Sequence, residues 1–152
     1  MRRLLLAGGL SLTLVLAAIT PARAACTINT TPFLFGAYNV FAVTPLDSAG
    51  SVTIRCTQSD KDVMITLDRG GAPTFNPRRM LSGSEALTYN LYLDAARTTI
   101  WGDGTGGTQT FFSHNPQGNN RDIVIPIYGR IPAGQDVGAG TYTNTITATV
   151  QF

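Results

Sequence analysis

The chain has 152 residues, with eleven Lys and Arg against nine Asp and Glu. Three of the basic residues, Arg2, Arg3 and Arg23, precede residue 25, so the remainder carries eight basic and nine acidic residues and a net charge of −1. That balance excludes a basic patch for nucleic acid or an anionic membrane, and the abundance of Thr and Gly is typical of one all-β exported domain.

Residues 1–24 are predicted to be a secretory signal peptide. A basic start precedes the apolar residues 4–19, and Ala22 and Ala24 match the small residues of a cleavage site. The apolar run is shorter than the roughly 20 residues of a membrane span, although an uncleaved anchor is the alternative. We therefore expect export through the periplasm to the cell surface or medium, with no membrane span in the mature domain, residues 25–152.

Cys26 and Cys56 are the only cysteines. In an oxidising compartment such a pair is interpreted first as a disulfide. It would close a loop of about 31 residues and stabilise the fold by roughly 3–4 kcal/mol on the chain-entropy model. With a single histidine in the chain, the two cysteines would make a poor metal site, and no metal or other cofactor is predicted.

Short segments in which apolar residues alternate predict about seven or eight strands and no amphipathic helix. In chain order they are residues 26–29, 33–38, 51–57, 63–67, 86–93, 108–112, 121–131 and 141–152. Composition predicts a turn at 45–50 and a loop at 68–86. Pro126 predicts that its strand is an edge or carries a bulge there. The pattern indicates a sandwich or barrel.

No catalytic residue is predicted. The only histidine, His114, lies in a predicted Asn/Pro/Gly turn at residues 114–120 and is interpreted as a surface loop residue. Arg78 and Arg79 are interpreted as solvated arginines beside a buried Met80, with an anion clamp as the alternative. The glycine-rich residues 102–107 lack the Gly-Lys-Ser/Thr of a phosphate-binding loop and are interpreted as a hairpin connection.

One aromatic group allows two interpretations. Trp101 with Tyr89 and Tyr92 could form a platform that stacks on sugars. At strand spacing, however, these residues are more often part of the core.

The last segment, residues 141–152, is predicted to be one long strand. Its odd positions hold five threonines and a glutamine, and Asn144 is the one polar residue at an even position. Such a strand has one apolar and one hydroxyl-rich face. It lacks proline and charge, so an unpaired edge here would invite aggregation unless a partner strand covers it. The residues of this predicted strand-acceptor edge are Tyr142, Ile146, Ala148, Val150 and Phe152.

Several segments together resemble the spore coat protein U domain family, which is also the fold of pilus subunits in archaic chaperone–usher systems. The most specific are the tryptophan loop, a Tyr-Gly-Arg-Ile-Pro run and the closing strand. In chain order the segments are residues 35–38, 50–57, 79–80, 87–94, 101–104, 128–135 and 140–145. The resemblance covers nearly the whole mature chain.

The resemblance implies an incomplete immunoglobulin-like β-sandwich of about seven strands that lacks the last strand. It also implies an apolar groove beside the final strand. A periplasmic chaperone would fill the groove with one of its own strands, and a neighbouring pilin subunit would replace that strand during export through an outer-membrane usher. A pilus (fimbrial) subunit-like structural role follows from this implication.

The chain also departs from a typical shaft subunit. Such subunits carry a donor stretch ahead of the first cysteine, whereas the predicted cleavage leaves only Ala25 before Cys26. A tip-like or initiating subunit is therefore expected. The alternatives are a self-complete spore coat or envelope surface protein of the same fold, and a carbohydrate-binding adhesin module built on Trp101.

Overall fold

A computed structural model describes residues 26–56, 62–114 and 121–151. These ranges contain eight strands: β1 (Cys26–Thr30), β2 (Leu46–Cys56), β3 (Asp62–Leu67), β4 (Arg78–Ser82), β5 (Glu85–Tyr92), β6 (Phe111–His114), β7 (Asp122–Ile131) and β8 (Ala148–Gln151). Nothing within them is a helix of the length and apolarity that crossing a membrane requires.

The strands form two sheets. One has five strands in the order β1-β2-β7-β5-β4, and the other has three in the order β6-β3-β8. Neighbouring strands are antiparallel, and the longest ladder joins β2 to β7 from Leu46↔Ile131 to Arg55↔Asp122. The prediction of an all-β, immunoglobulin-like sandwich is confirmed.

Alternation along the strands places their apolar side chains between the two sheets. The five-stranded sheet contributes Val52, Ile54, Leu87, Leu91, Ile125, Ile127 and Ile131, and the three-stranded sheet contributes Val63, Ile65 and Leu67. All ten are buried. This shared core, rather than either sheet alone, accounts for the hydrophobic stabilisation of the domain.

Trp101 belongs to the core. It is 0% exposed, and its indole N–H donates a 2.9 Å hydrogen bond to the carbonyl of Ile65. A ring buried in this way cannot offer a face to a sugar. The alternative interpretation of Trp101 as a stacking platform is therefore wrong.

A disulfide joins Cys26 to Cys56, which also face each other at the first rung of the β1–β2 ladder. Its sequence separation is 30 residues. It holds the start of β1 against the end of β2, and the chain leaves β1 toward the groove described below.

The turn predicted at residues 45–50 is wrong. β2 begins at Leu46, and Leu46–Ala49 pair with Tyr128–Ile131 of β7. Asp47 also accepts hydrogen bonds of 2.7 and 2.9 Å from the guanidinium of Arg130 on that strand. Pairing with a distant strand therefore overrides a local composition that favours a turn.

The loop predicted at residues 68–86 contains a strand, β4, and its first residue is a buried arginine. Arg78 is 0% exposed, whereas Arg79 beside it is exposed. The prediction that both arginines are solvated is therefore wrong for Arg78, and Met80 is only partly buried. Burial lowers the pKa of the Arg78 guanidinium.

Hydrogen bonds satisfy the buried Arg78 guanidinium. Nε and Nη2 donate to the carbonyl of Asp68 at 3.0 and 2.9 Å, and Nη2 also donates to the carbonyl of Trp101 at 2.7 Å. Nη1 donates to Oδ1 of Asn90 at 2.8 Å, and the ring of Phe75 lies 5.2 Å from the guanidinium carbon. Arg78 thus ties β4 to β5 and to two loop segments.

Pro126 lies in β7, a central strand of the five-stranded sheet. At Pro126, however, β7 is paired on one side only, by Ser51 of β2, since its ladder with β5 covers only Tyr128–Arg130. The predicted edge is therefore local. Around Pro126 only β2 pairs with β7, whereas at Tyr128–Arg130 both β2 and β5 pair with it. A missing N–H is tolerated at such a local edge.

His114 is the last residue of β6 and is exposed. Its Nδ1 lies 2.8 Å from Oδ1 of Asp62, the residue opposite it on β3. This position agrees with the interpretation of His114 as a surface residue.

Candidate functional site

Residues 31–38 form the first wall of an open groove. They were predicted in part to be a strand, but no ladder includes them, and that prediction is wrong. Their aromatic rings instead pack over glycines: a Cβ added at Gly50 would lie 2.7 Å from the Phe33 ring, and one at Gly129 would lie 2.6 Å from it. The wall is held by packing against the sheet rather than by strand pairing.

Three hydrogen bonds also anchor the first wall. The Ser48 hydroxyl donates to the carbonyl of Leu34 at 2.6 Å. The Tyr38 hydroxyl donates to the carbonyl of Pro132 at 2.9 Å and accepts from the N–H of Gln135 at 3.0 Å. The wall is therefore fixed through the backbone of Leu34 and the side chain of Tyr38, while the side chain of Leu34 is 76% exposed.

Residues 141–151 form the second wall. The single long strand predicted there is wrong, because only Ala148–Gln151 belong to a ladder, with β3 of the three-stranded sheet. Thr143 instead exchanges two backbone hydrogen bonds, of 2.9 and 3.0 Å, with Leu81 of β4 in the other sheet. The wall therefore crosses from one sheet to the other.

The backbone of the second wall is paired on one side only. The carbonyl of Thr147 accepts from the N–H of Asp68 at 3.0 Å, and Thr143 pairs with Leu81, so odd-numbered residues direct their polar groups toward existing strands. Backbone groups of successive extended residues point to opposite sides. Within the described residues, the N–H and C=O groups of Tyr142, Asn144 and Ile146 have no hydrogen-bond partner.

The side chains of the predicted acceptor edge point toward the core. Exposure alternates along 141–151, with the even-numbered residues partly buried. Tyr142, Ile146, Ala148 and Val150 pack against the core cluster. Phe152, the fifth residue of the prediction, lies outside the described residues. Tyr142 and Ile146 thus combine inward side chains with unpaired backbone groups, whereas Ala148 and Val150 belong to the ladder with β3.

Between the two walls lie two adjoining cavities of about 430 and 750 Å³. Both are bounded by Phe33, Leu34 and Phe35 on one side and by Tyr142 on the other. The floor consists of core residues: Val52, Leu67, Leu87, Tyr89, Leu91, Ile127 and Ile131. None of the described lining residues is Lys, Arg, Asp or Glu, so the groove suits an uncharged occupant.

Two hydrogen bonds from Asn144 of the second wall reach the floor and β4. The Asn144 Nδ2 group donates to the Tyr89 hydroxyl at 3.1 Å and to the carbonyl of Arg79 at 2.6 Å. Burial raises the pKa of the Tyr89 hydroxyl to about 12, so the hydroxyl is protonated at physiological pH.

The family model for the Spore Coat Protein U domain matches residues 12–149. The chain belongs to the spore coat protein U domain family. One similar protein, Protein U of Myxococcus xanthus, is 31% identical over 131 residues. The match covers 78% of this chain and 70% of that protein. The family-model match begins inside the predicted signal peptide, and the domain boundary at residue 25 stays a prediction.

The spore coat protein U domain also shares its fold with a solved structure, the CsuC–CsuE chaperone–tip adhesion subunit pre-assembly complex from archaic chaperone–usher Csu pili of Acinetobacter baumannii. The TM-score is 0.55 at 22% identity, covering 85% of this chain. The chain spans 40% of the length of that structure's chain.

The sequence pattern indicates one wall of the groove, residues 141–151, but not that residues 31–38 form the other. Gly50 and Gly129 carry the missed signal. Each occupies an inward position of a core strand, where a large side chain is otherwise the rule. An inward glycine indicates that another group approaches the sheet closely, and the aromatic pair Phe33 and Phe35 supplies that group.

Proposed function

We propose that this domain is an exported, pilus-subunit-like structural protein that accepts a β-strand from another molecule in the groove between its two walls. One observation carries the proposal: Tyr142, Asn144 and Ile146 present unpaired backbone groups along an apolar groove. Strand addition uses this combination, since main-chain hydrogen bonds supply affinity and side-chain pockets supply specificity.

The partners follow from the same proposal. A periplasmic chaperone occupies the groove first, and a strand of another pilin subunit replaces it during passage through an outer-membrane usher. The solved structure of similar fold is itself a chaperone–subunit complex, which supports a chaperone as partner. Export through a signal peptide at residues 1–24 and a mature domain at 25–152 belong to the proposal.

A hydrogen-exchange experiment tests strand acceptance residue by residue. In the protein alone, the amides of Tyr142, Asn144 and Ile146 should exchange rapidly because they have no acceptor. Adding a partner strand, for which a synthetic eleven-residue peptide of alternating Val and Thr serves as probe, should slow their exchange at least about tenfold. Protection confined to amides that are already bonded would contradict the proposal.

Neighbouring amides in the same wall provide the internal control. Thr143 donates to the carbonyl of Leu81 at 3.0 Å and Thr147 donates to Oδ1 of Asp68 at 3.0 Å, so both should be slower than their even-numbered neighbours before any peptide is added. A general change in stability would affect odd and even amides alike. Strand addition would affect the even-numbered amides selectively.

A second function is supported by one observation. Phe33 and Phe35 of the same chain already cover the core above Gly50 and Gly129. A self-complete spore coat or envelope surface protein would use this cover in place of a borrowed strand. It would be a soluble monomer whose even-numbered amides are unaffected by peptide, so the same exchange experiment separates the two functions.

A further inference from the structure

Asn144 is the one polar side chain among the inward positions of the second wall. Its amide is held in place, because Nδ2 donates both to the carbonyl of Arg79 on β4 and to the hydroxyl of Tyr89 on β5. Gly70 packs closely against it: a Cβ added there would lie 2.5 Å from Oδ1 of Asn144. The polar group in the groove is therefore positioned by three separate segments of the fold.

Tyr89 supplies a hydrogen-bond donor at the same place. The residue is 4% exposed, and its ring packs edge-on against Phe35 of the first wall, with ring centroids 5.7 Å apart. Its oxygen accepts from Asn144, while among the described residues no atom accepts its O–H. The hydroxyl therefore retains a donor for which the chain itself supplies no acceptor.

The Tyr89 O–H is a polar donor within a largely apolar part of the groove. Tyr89 and Asn144 line the groove beside apolar floor residues such as Val52, Leu91 and Ile127. The backbone groups of Asn144 face the groove, so a strand added there would place one inward residue roughly 5 Å away. If that residue were apolar, it would bury the Tyr89 hydroxyl without an acceptor, which is unfavourable.

We propose that the Tyr89–Asn144 pair recognises a single Ser or Thr at an inward position of the partner strand and thereby sets its register. This inference rests on the proposed strand-accepting function. The Ser or Thr oxygen accepts the Tyr89 O–H, while the other inward residues of the partner are apolar. Register matters because a one-residue slip turns every side chain to the opposite face, and a two-residue slip changes which pocket each side chain fills.

The test uses three synthetic eleven-residue peptides. The reference peptide has Val at every inward position. The other two each carry one Thr, at inward positions two residues apart. Each peptide bears a nitroxide at one end, so that paramagnetic broadening of β8 and β4 amides reports its register on the purified, disulfide-bonded protein.

Both Thr peptides should bind about three- to tenfold more tightly than the all-Val peptide, as expected for one additional buried hydrogen bond. Their registers should differ by two residues, a shift of roughly 6–7 Å at strand spacing, because the Thr occupies the same pocket in both. Tyr89→Phe, which keeps the ring, should abolish the preference and the shift. Tyr128→Phe, at a partly buried tyrosine of β7 outside the groove lining, should change neither.

The outcomes separate this inference from the function on which it rests. Peptides that bind with equal affinity and in one common register contradict the Tyr89–Asn144 inference and leave strand acceptance intact. Failure of every peptide to bind contradicts strand acceptance and this inference together. The comparison of peptides on the unaltered protein needs no variant, so poor folding of Tyr89→Phe would not obscure the result.

Discussion

Replacing Arg78 with Met should lower the free energy of unfolding by about 3–5 kcal/mol. The guanidinium is fully buried and donates to the carbonyls of Asp68 and Trp101 and to Oδ1 of Asn90. Met fills a similar volume but donates nothing, so the carbonyls of Asp68 and Trp101 would lose their donor, each at a cost of about 1–3 kcal/mol if it stays buried. Oδ1 of Asn90 would keep only its hydrogen bond from the N–H of Leu91. Urea denaturation of the oxidised protein measures the loss.

The neighbouring residue provides a matched control. Arg79 lies on the same strand and is exposed, so Arg79→Met should change stability by no more than about 0.5 kcal/mol. Arg78→Lys should fall between the two variants, because an ammonium group cannot reproduce the planar fork of donors. Equal losses for Arg78→Met and Arg79→Met would show that the buried network contributes little.

Removing the disulfide should lower the free energy of unfolding by about 3–4 kcal/mol on the chain-entropy model. The bond joins residues 30 apart, and its loss releases that loop in the unfolded state. The double variant Cys26→Ala, Cys56→Ala should therefore unfold at lower urea concentration than the oxidised protein.

Reduction of the unaltered protein provides the comparison. Dithiothreitol should destabilise it by a similar amount and should leave the double variant unchanged. A double variant as stable as the oxidised protein would show that the β1–β2 pairing does not depend on the covalent link.

Strands whose inward positions are apolar could be predicted from sequence. Val52, Ile54 and Cys56 alternate in β2, and Val63, Ile65 and Leu67 alternate in β3. Alternation with a period of two is a local property of the chain, so a short window of sequence is enough to predict the strand. The disulfide could also be predicted, because the sequence contains only two cysteines.

Features that depend on distant partners could not be predicted. Residues 46–49 have turn-like composition, yet pairing with β7 makes them a strand. Arg78 follows Pro77 in a polar stretch, and its burial depends on carbonyls contributed by residues far along the chain. The charge of a residue can be read from its identity, whereas its burial depends on which other residues the fold places around it.

The groove was predicted only in part for the same reason. The apolar alternation from Tyr142 to Val150 indicated one wall and its inward face. The change of sheet between Thr143 and Ala148 depends on where β4 and β3 lie, which local periodicity does not encode. The Tyr89–Asn144 contact joins residues 55 apart in sequence and was not anticipated.

Gly50 and Gly129 have a consequence for how relatives of this domain diverge. A methyl group at either position would overlap the Phe33 ring, and at Gly129 it would also lie 2.7 Å from Phe35. Alanine there would lift residues 31–38 away from the sheet and change the clearance between the walls. On the proposed strand-accepting function, these two positions therefore set the width available to a partner strand. Homologues that differ only there should prefer bulkier or slimmer partner strands, so compatibility between molecules can change without any substitution in residues 31–38 or 141–151.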